Sequence, residues 1–191
     1  TMQRAIENGP RFNTGINAIT LTTPFDSANG LAQQLKTVAQ TIAARSALGA
    51  RRQVFFVGMG GFDTHDAQNS VQPALLGTVA EAMSSFYQAT VELGLSDKVT
   101  SFTMSDFGRT LSSNGDGTDH GWAGNQLVLG GAVNGGDLYG QLLPQRLGSP
   151  VDMGAGRLIP ALSNSQLFGS LAQWFGADQS ALQLLLPELA N

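Results

Sequence analysis

The chain has 191 residues, enough for one medium domain, and no cysteine, which excludes disulfide frameworks, thiolate nucleophiles, iron–sulfur clusters and cysteine zinc sites. Only 13% of its residues are charged, about half the usual ~25%. Ten lysines and arginines stand against fourteen acids, the net charge is −4 and no basic stripe exists, which argues against a nucleic-acid partner.

Scarce charge does not make a membrane protein here. The longest apolar runs, such as 54–57 and 184–186, fall far short of the ~18 residues a spanning helix needs. The chain begins Thr1-Met2 with no charged-then-apolar leader pattern, and reads as a processed chain or a fragment.

Residues 1–24 are polar and broken by Gly9-Pro10 and Thr23-Pro24, an irregular lead-in. Asp26 or Ser27 is placed to cap a helix carrying Leu31, Leu35, Val38 and Ile42 at helical spacing, ending before Gly49. The apolar, β-prone run 53–57 predicts a buried strand in a parallel sheet. A second helix is predicted over 73–93, with Pro73 in its first turn and Gly94 at its end. Residues 98–104 form the next strand, 105–122 a Gly- and Asp-rich loop, and 126–129 a third short strand. Residues 134–160 are irregular. Ser163 or Asn164 opens a helix stopped by Gly176, and Asp178 caps a last one to about 186. The alternation of helix and strand predicts an α/β fold, mainly a parallel sheet flanked by helices. Its functional loops would lie beyond the strand ends, at 58–68 and 105–122.

Both histidines fall in those two loops beside aspartates, in Asp63-Thr64-His65-Asp66 and Asp119-His120, and Asp106 follows the second strand. Carboxylate and neutral imidazole suit a divalent ion of the Zn, Mn, Mg or Ca type. The alternative is that Asp and Gly simply populate turns. Arg109 suits a tetrahedral oxyanion, or else a structural pair with Asp106 or Asp116. Trp122 is expected to pack on the domain rather than stack on a ligand. No dinucleotide fingerprint, P-loop, nucleophile elbow or EF-hand spacing is present, and Asp106-Phe107-Gly108 lacks every other part of a kinase.

The stretches VFFVGMGGFDTHDAQ (54–68), FTMSDFGRTLSSNGDGTDHGW (102–122), LVLGGAVNGG (127–136) and RLIPALSNSQLFGSLAQWFGA (157–177) closely resemble the bacterial family catalogued as domain of unknown function 1501. The likeness covers residues 25–191, the expected core. That family is similar to the alkaline phosphatase and sulfatase superfamily, which implies a two-metal site, an exported protein with a twin-arginine leader, and an extracytoplasmic location. Carried over by position, the resemblance makes Asp63, His65, Asp106, Asp119 and His120 metal ligands; beside them Arg109, by its guanidinium chemistry, is the expected catalytic residue that stabilises the oxyanion. Members are roughly twice as long, so this chain would be the C-terminal part of an alkaline phosphatase-like domain, incomplete without an N-terminal half that carries the nucleophile.

The leading expectation is therefore a metal-dependent hydrolase of phosphate or sulfate esters, acting on a small anionic ester. The alternative is a non-catalytic binding or assembly module of a surface structure, a homo-oligomer included. A weaker rival is calcium-stabilised folding through 114–120.

Overall fold

The computed structural model describes Gly9 and residues 12–190. They divide into two compact units. One holds the residues up to Met104 with 115–117 and 126–135; the other holds 105–114, 118–125 and the residues from Gly136 on.

The first unit is built on two helices, α1 (Gly30–Ala43) and α2 (Gln68–Glu92). α1 starts one turn later than Asp26 or Ser27 would place it. Asn29 is its cap, accepting from the Ala32 amide at 3.0 Å while its own Nδ2 donates to the Thr78 carbonyl of α2 at 3.0 Å. Asp26 instead closes the preceding turn on the Ala28 amide. Ala32 and Ala39, two turns apart on α1, and Ala82 and Ala89, two turns apart on α2, are fully buried. These small side chains let the two helices approach closely. Leu35, Val38, Ile42 and Phe86 fill the space around them, with Leu21, Phe25, Leu31, Val57, Leu95 and Val99 packed at the edge. Burying such large apolar side chains contributes about 1.5–3 kcal/mol each.

α2 begins five residues before Pro73, which therefore lies inside the helix. Its far end is as read from the sequence: Gly94, at φ 65, lets the Leu95 amide return to the Thr90 carbonyl at 2.8 Å. Residues 12–17, expected to be irregular, are helical, and the expectation for 1–8, Pro10 and Arg11 lies outside the described residues.

The expected fold class is overturned. Instead of a mainly parallel, alkaline phosphatase-like sheet flanked by helices, the described residues hold two antiparallel two-stranded sheets. β1 (Thr100–Phe102) pairs with β4 (Val128–Gly130) in the register Thr100↔Gly130 and Phe102↔Val128. β2 (Gly108–Ser113) pairs with β3 (Thr118–Gly121). The reason lies in 105–122. The expected loop contains a hairpin rather than a crossover helix, the connection a parallel pair of strands needs.

The 53–57 run also departs from expectation. It is not in a ladder, and Val54 and Phe56 are 82% and 90% exposed. Val57 packs on the helical core. At its end, Gly58 makes a reciprocal pair with the Gln34 side chain of α1. Its amide donates to Oε1 at 3.1 Å, and its carbonyl accepts from Nε2 at 2.9 Å.

In the second unit, α3 (Asn164–Phe175) opens with a full capping box between Ser163 and Gln166, and α4 (Gln179–Leu185) with Asp178 accepting from the Ala181 amide at 2.8 Å. Both starts match the sequence reading. Residues 136–160 are irregular as expected, but tied. The Asp152 carboxylate accepts from the Gly148, Gly154 and Gly156 amides at 2.8, 2.9 and 2.8 Å. Those bonds, the Gly148 amide first, hold its carboxyl below the ordinary range. Among the described residues, no helix is long and apolar enough to cross a membrane.

Candidate functional site

In the first unit the segment 62–65 runs outside any helix or strand and turns at Thr64, where the His65 amide closes on the Asp63 carbonyl. Thr64 turns inward and is buried, while Asp63 and His65 share the outer side. Their side chains meet there: Asp63 Oδ1 lies 2.9 Å from His65 Nε2, and both groups are about half exposed. The His65 amide donates to the Asp63 carbonyl at 3.1 Å and tightens the step.

Residues 115–117 fix this segment from outside it. A Cβ on Gly117 would lie 2.3 Å from the His65 carbonyl carbon, so only glycine permits the approach. Next to it the Asp116 carbonyl accepts from the Gln68 amide at 3.0 Å, satisfying one of the free donors at the start of α2. Ala67, which precedes that helix, is held at φ 51, a conformation costing a non-glycine residue roughly 1 kcal/mol. The Asp66 carboxyl is pushed above the ordinary carboxylate range by its hydrogen bond to Asp116 and by that group's charge. Asp116 is held below the range by the same hydrogen bond.

The other sequence-predicted residues lie in the second unit, on or before the β2–β3 hairpin. Arg109 and His120 are cross-strand partners. The His120 imidazole stacks on the Phe107 ring with centroids 4.0 Å apart and planes 7° from parallel. Arg109 Nε donates to Thr118 Oγ1 at 2.9 Å, one of its terminal nitrogens donates to the Thr118 carbonyl, and its guanidinium lies 5.8 Å from the Phe107 ring centre. The guanidinium thus serves the hairpin. Asp119 faces the opposite side of β3 from His120, as neighbouring strand residues must. Its carboxylate accepts from Asn114 Nδ2 at 3.1 Å. Asp106 is exposed just before β2. Trp122, expected to pack, is 58% exposed.

The Asp63–His65 pair fits a divalent ion. Two ligand atoms on one ion, with bonds of about 2.0–2.1 Å, stand about 2.9 Å apart at a right angle and about 3.4 Å apart in a tetrahedron. The observed separation lies at the lower of those values.

A family model described as Protein of unknown function (DUF1501) matches residues 3–179. The chain belongs to this family. No curated protein and no solved structure matches it. For this DUF1501 chain, the residues that sequence reasoning missed are Phe107, Gly117 and Thr118. In the sequence Phe107 stands out only as the middle of a kinase-like tripeptide. Gly117 acts through a backbone approach that no spacing reveals. The hairpin itself did carry a signal, the Asn114-Gly115 pair, a strong turn former between two β-prone runs.

Proposed function

We propose that this DUF1501 chain is a divalent-metal-binding domain, with Asp63 and His65 as paired ligands. The observation that supports it is the 2.9 Å approach of Asp63 Oδ1 to His65 Nε2 on an exposed edge. Carboxylate with imidazole favours zinc or manganese over magnesium or calcium. Asp106, Asp119 and His120, the other expected ligands, lie in the second unit. An ion so held, with positions left open, supplies Lewis-acid activation of water and of an anionic ester. Hydrolysis of phosphate or sulfate esters, by an exported protein, is the activity we assign to the native protein. Two of the Arg109 guanidinium N–H groups are engaged by Thr118.

Equilibrium dialysis against zinc and manganese, with metal quantified, tests the reading. Asp63→Asn and His65→Gln should each lower affinity by more than the roughly 10–100-fold that an outer partner costs. No uptake by the unaltered protein, or uptake indifferent to both substitutions, ends it. Ester hydrolysis that survives chelation would end the catalytic part, and cell fractionation checks the location.

A second reading, a module that assembles through apolar surface, is favoured by the bare Val54 and Phe56 side chains.

A further inference from the structure

We infer that Gly117 is the positioning residue for the Asp63–His65 pair, an inference that rests on those two residues being metal ligands. Both side chains are about half exposed. Surface side chains ordinarily sample several rotamers, and ligands that must be ordered at the moment of binding bind more weakly. Where an imidazole can reach is set first by its backbone, and the backbone of His65 is held on both sides. On the N-terminal side its amide donates to the Asp63 carbonyl at 3.1 Å, and Thr64 between them is buried. On the C-terminal side the peptide joining His65 to Asp66 is covered by Gly117. A Cβ on Gly117 would lie 2.3 Å from the His65 carbonyl carbon, 2.4 Å from its oxygen and 2.6 Å from the Asp66 nitrogen. All three atoms of that peptide link are closer than a Cβ tolerates, so the Gly117 backbone lies directly against it.

Gly117 is held in place in turn. The Asp116 carbonyl, one residue before it, accepts from the Gln68 amide at 3.0 Å and ties 115–117 to the first turn of α2. Ala67 keeps a left-handed φ of 51, a conformation that persists only where the surroundings over-determine it. Residues 63–68 and 115–117 all belong to the first unit, so the support and the pair it supports lie within one compact body. A methyl group at 117 would push the 65–66 peptide aside and turn the imidazole away from Asp63. The two groups would then meet an ion as separate ligands rather than as one preformed clamp.

Zinc titration of the chain, followed by calorimetry, is the first test. Gly117→Ala should weaken binding about 10–100-fold, the loss expected when a ligand's outer support is removed. Gly60→Ala, the same substitution where nothing lies within 4 Å of the new methyl, should leave the affinity unchanged. The same titration read by NMR separates positioning from folding. In the unaltered protein the Asp63 carboxyl carbon and the His65 imidazole nitrogens should shift together as zinc is added. In Gly117→Ala they should come apart, whereas partial unfolding leaves them moving together in the fraction still folded; shifts that stay together would overturn the inference. A further readout needs no variant. In the metal-free protein a Gly117 α proton should show a nuclear Overhauser effect to the Asp66 amide proton, and its absence would overturn the inference even where Gly117→Ala does not fold. Unaltered zinc affinity in Gly117→Ala, with binding lost in Asp63→Asn and His65→Gln, would overturn it and leave the metal reading standing. Equal losses in Gly60→Ala and Gly117→Ala would do the same. No zinc uptake by the unaltered protein would end the metal reading itself, and the inference with it.

Discussion

Glu92, at the last position of α2, carries a clear pH signature. Its carboxylate accepts from the Thr22 amide at 2.7 Å, the Thr23 amide at 2.8 Å and Thr23 Oγ1 at 2.6 Å. These bonds, the Thr22 amide first, lower its pKa from 4.5 to about 2. A folded-state pKa below the unfolded value means that the group stabilises the fold above pH 4.5. That contribution is lost as pH falls from there toward about 2. Glu92→Gln should lower the melting temperature at pH 7 and flatten its fall across that acid window. Thermal unfolding followed by circular dichroism at successive pH values reads both effects. An unchanged acid profile would show that the bonds from Thr22 and Thr23 do not hold in solution.

At the scale of elements, the contact between α1 and α2 depends on one polar side chain as much as on its alanines. Asn29 is 5% exposed and bonds both the Ala32 amide and the Thr78 carbonyl. Asn29→Ala removes a cap and leaves the buried Ala32 amide without its acceptor, and should cost about 1–3 kcal/mol in urea denaturation. A loss below about 0.5 kcal/mol would mean that solvent takes over both bonds. The helices were the legible part of the sequence, because caps and apolar spacing are local. Ser163, Gly176, Asp178 and Gly94 all act where their neighbours predict. The strands were not legible in the same way. The 98–104 and 126–129 runs do pair, but antiparallel, and the apolar pattern within a strand does not carry the direction of its partner. At the candidate site, Asp63 and His65 were readable as a pair two residues apart. The partners that fix His65 and His120, Gly117 and Phe107, act across turns and faces that periodicity does not describe.

At the scale of the whole molecule, the two units bury apolar surface unequally. In the first, a continuous core joins α1 and α2. In the second, Leu158 and Leu182 are buried while Trp174, Leu184 and Leu185 stay exposed. Val54 and Phe56 add bare apolar surface to the first unit, and the shortage of Lys and Glu leaves little to discourage association. If assembly is part of the function, the chain should run in size exclusion above its 20.0 kDa mass. Val54→Thr with Phe56→Thr should then return it to the monomer position with its circular dichroism unchanged. A monomeric unaltered chain would remove the assembly reading.

The Gln34 pair with Gly58 has a consequence for that same run. A side-chain amide offers one donor and one acceptor side by side, the same two groups a neighbouring strand would present. Gln34 is therefore a one-residue surrogate for a strand, anchoring the end of 53–57 to α1. The entropy of straightening is already spent on this side of any future pairing. A strand arriving there would meet a ready template and forfeit only its own freedom.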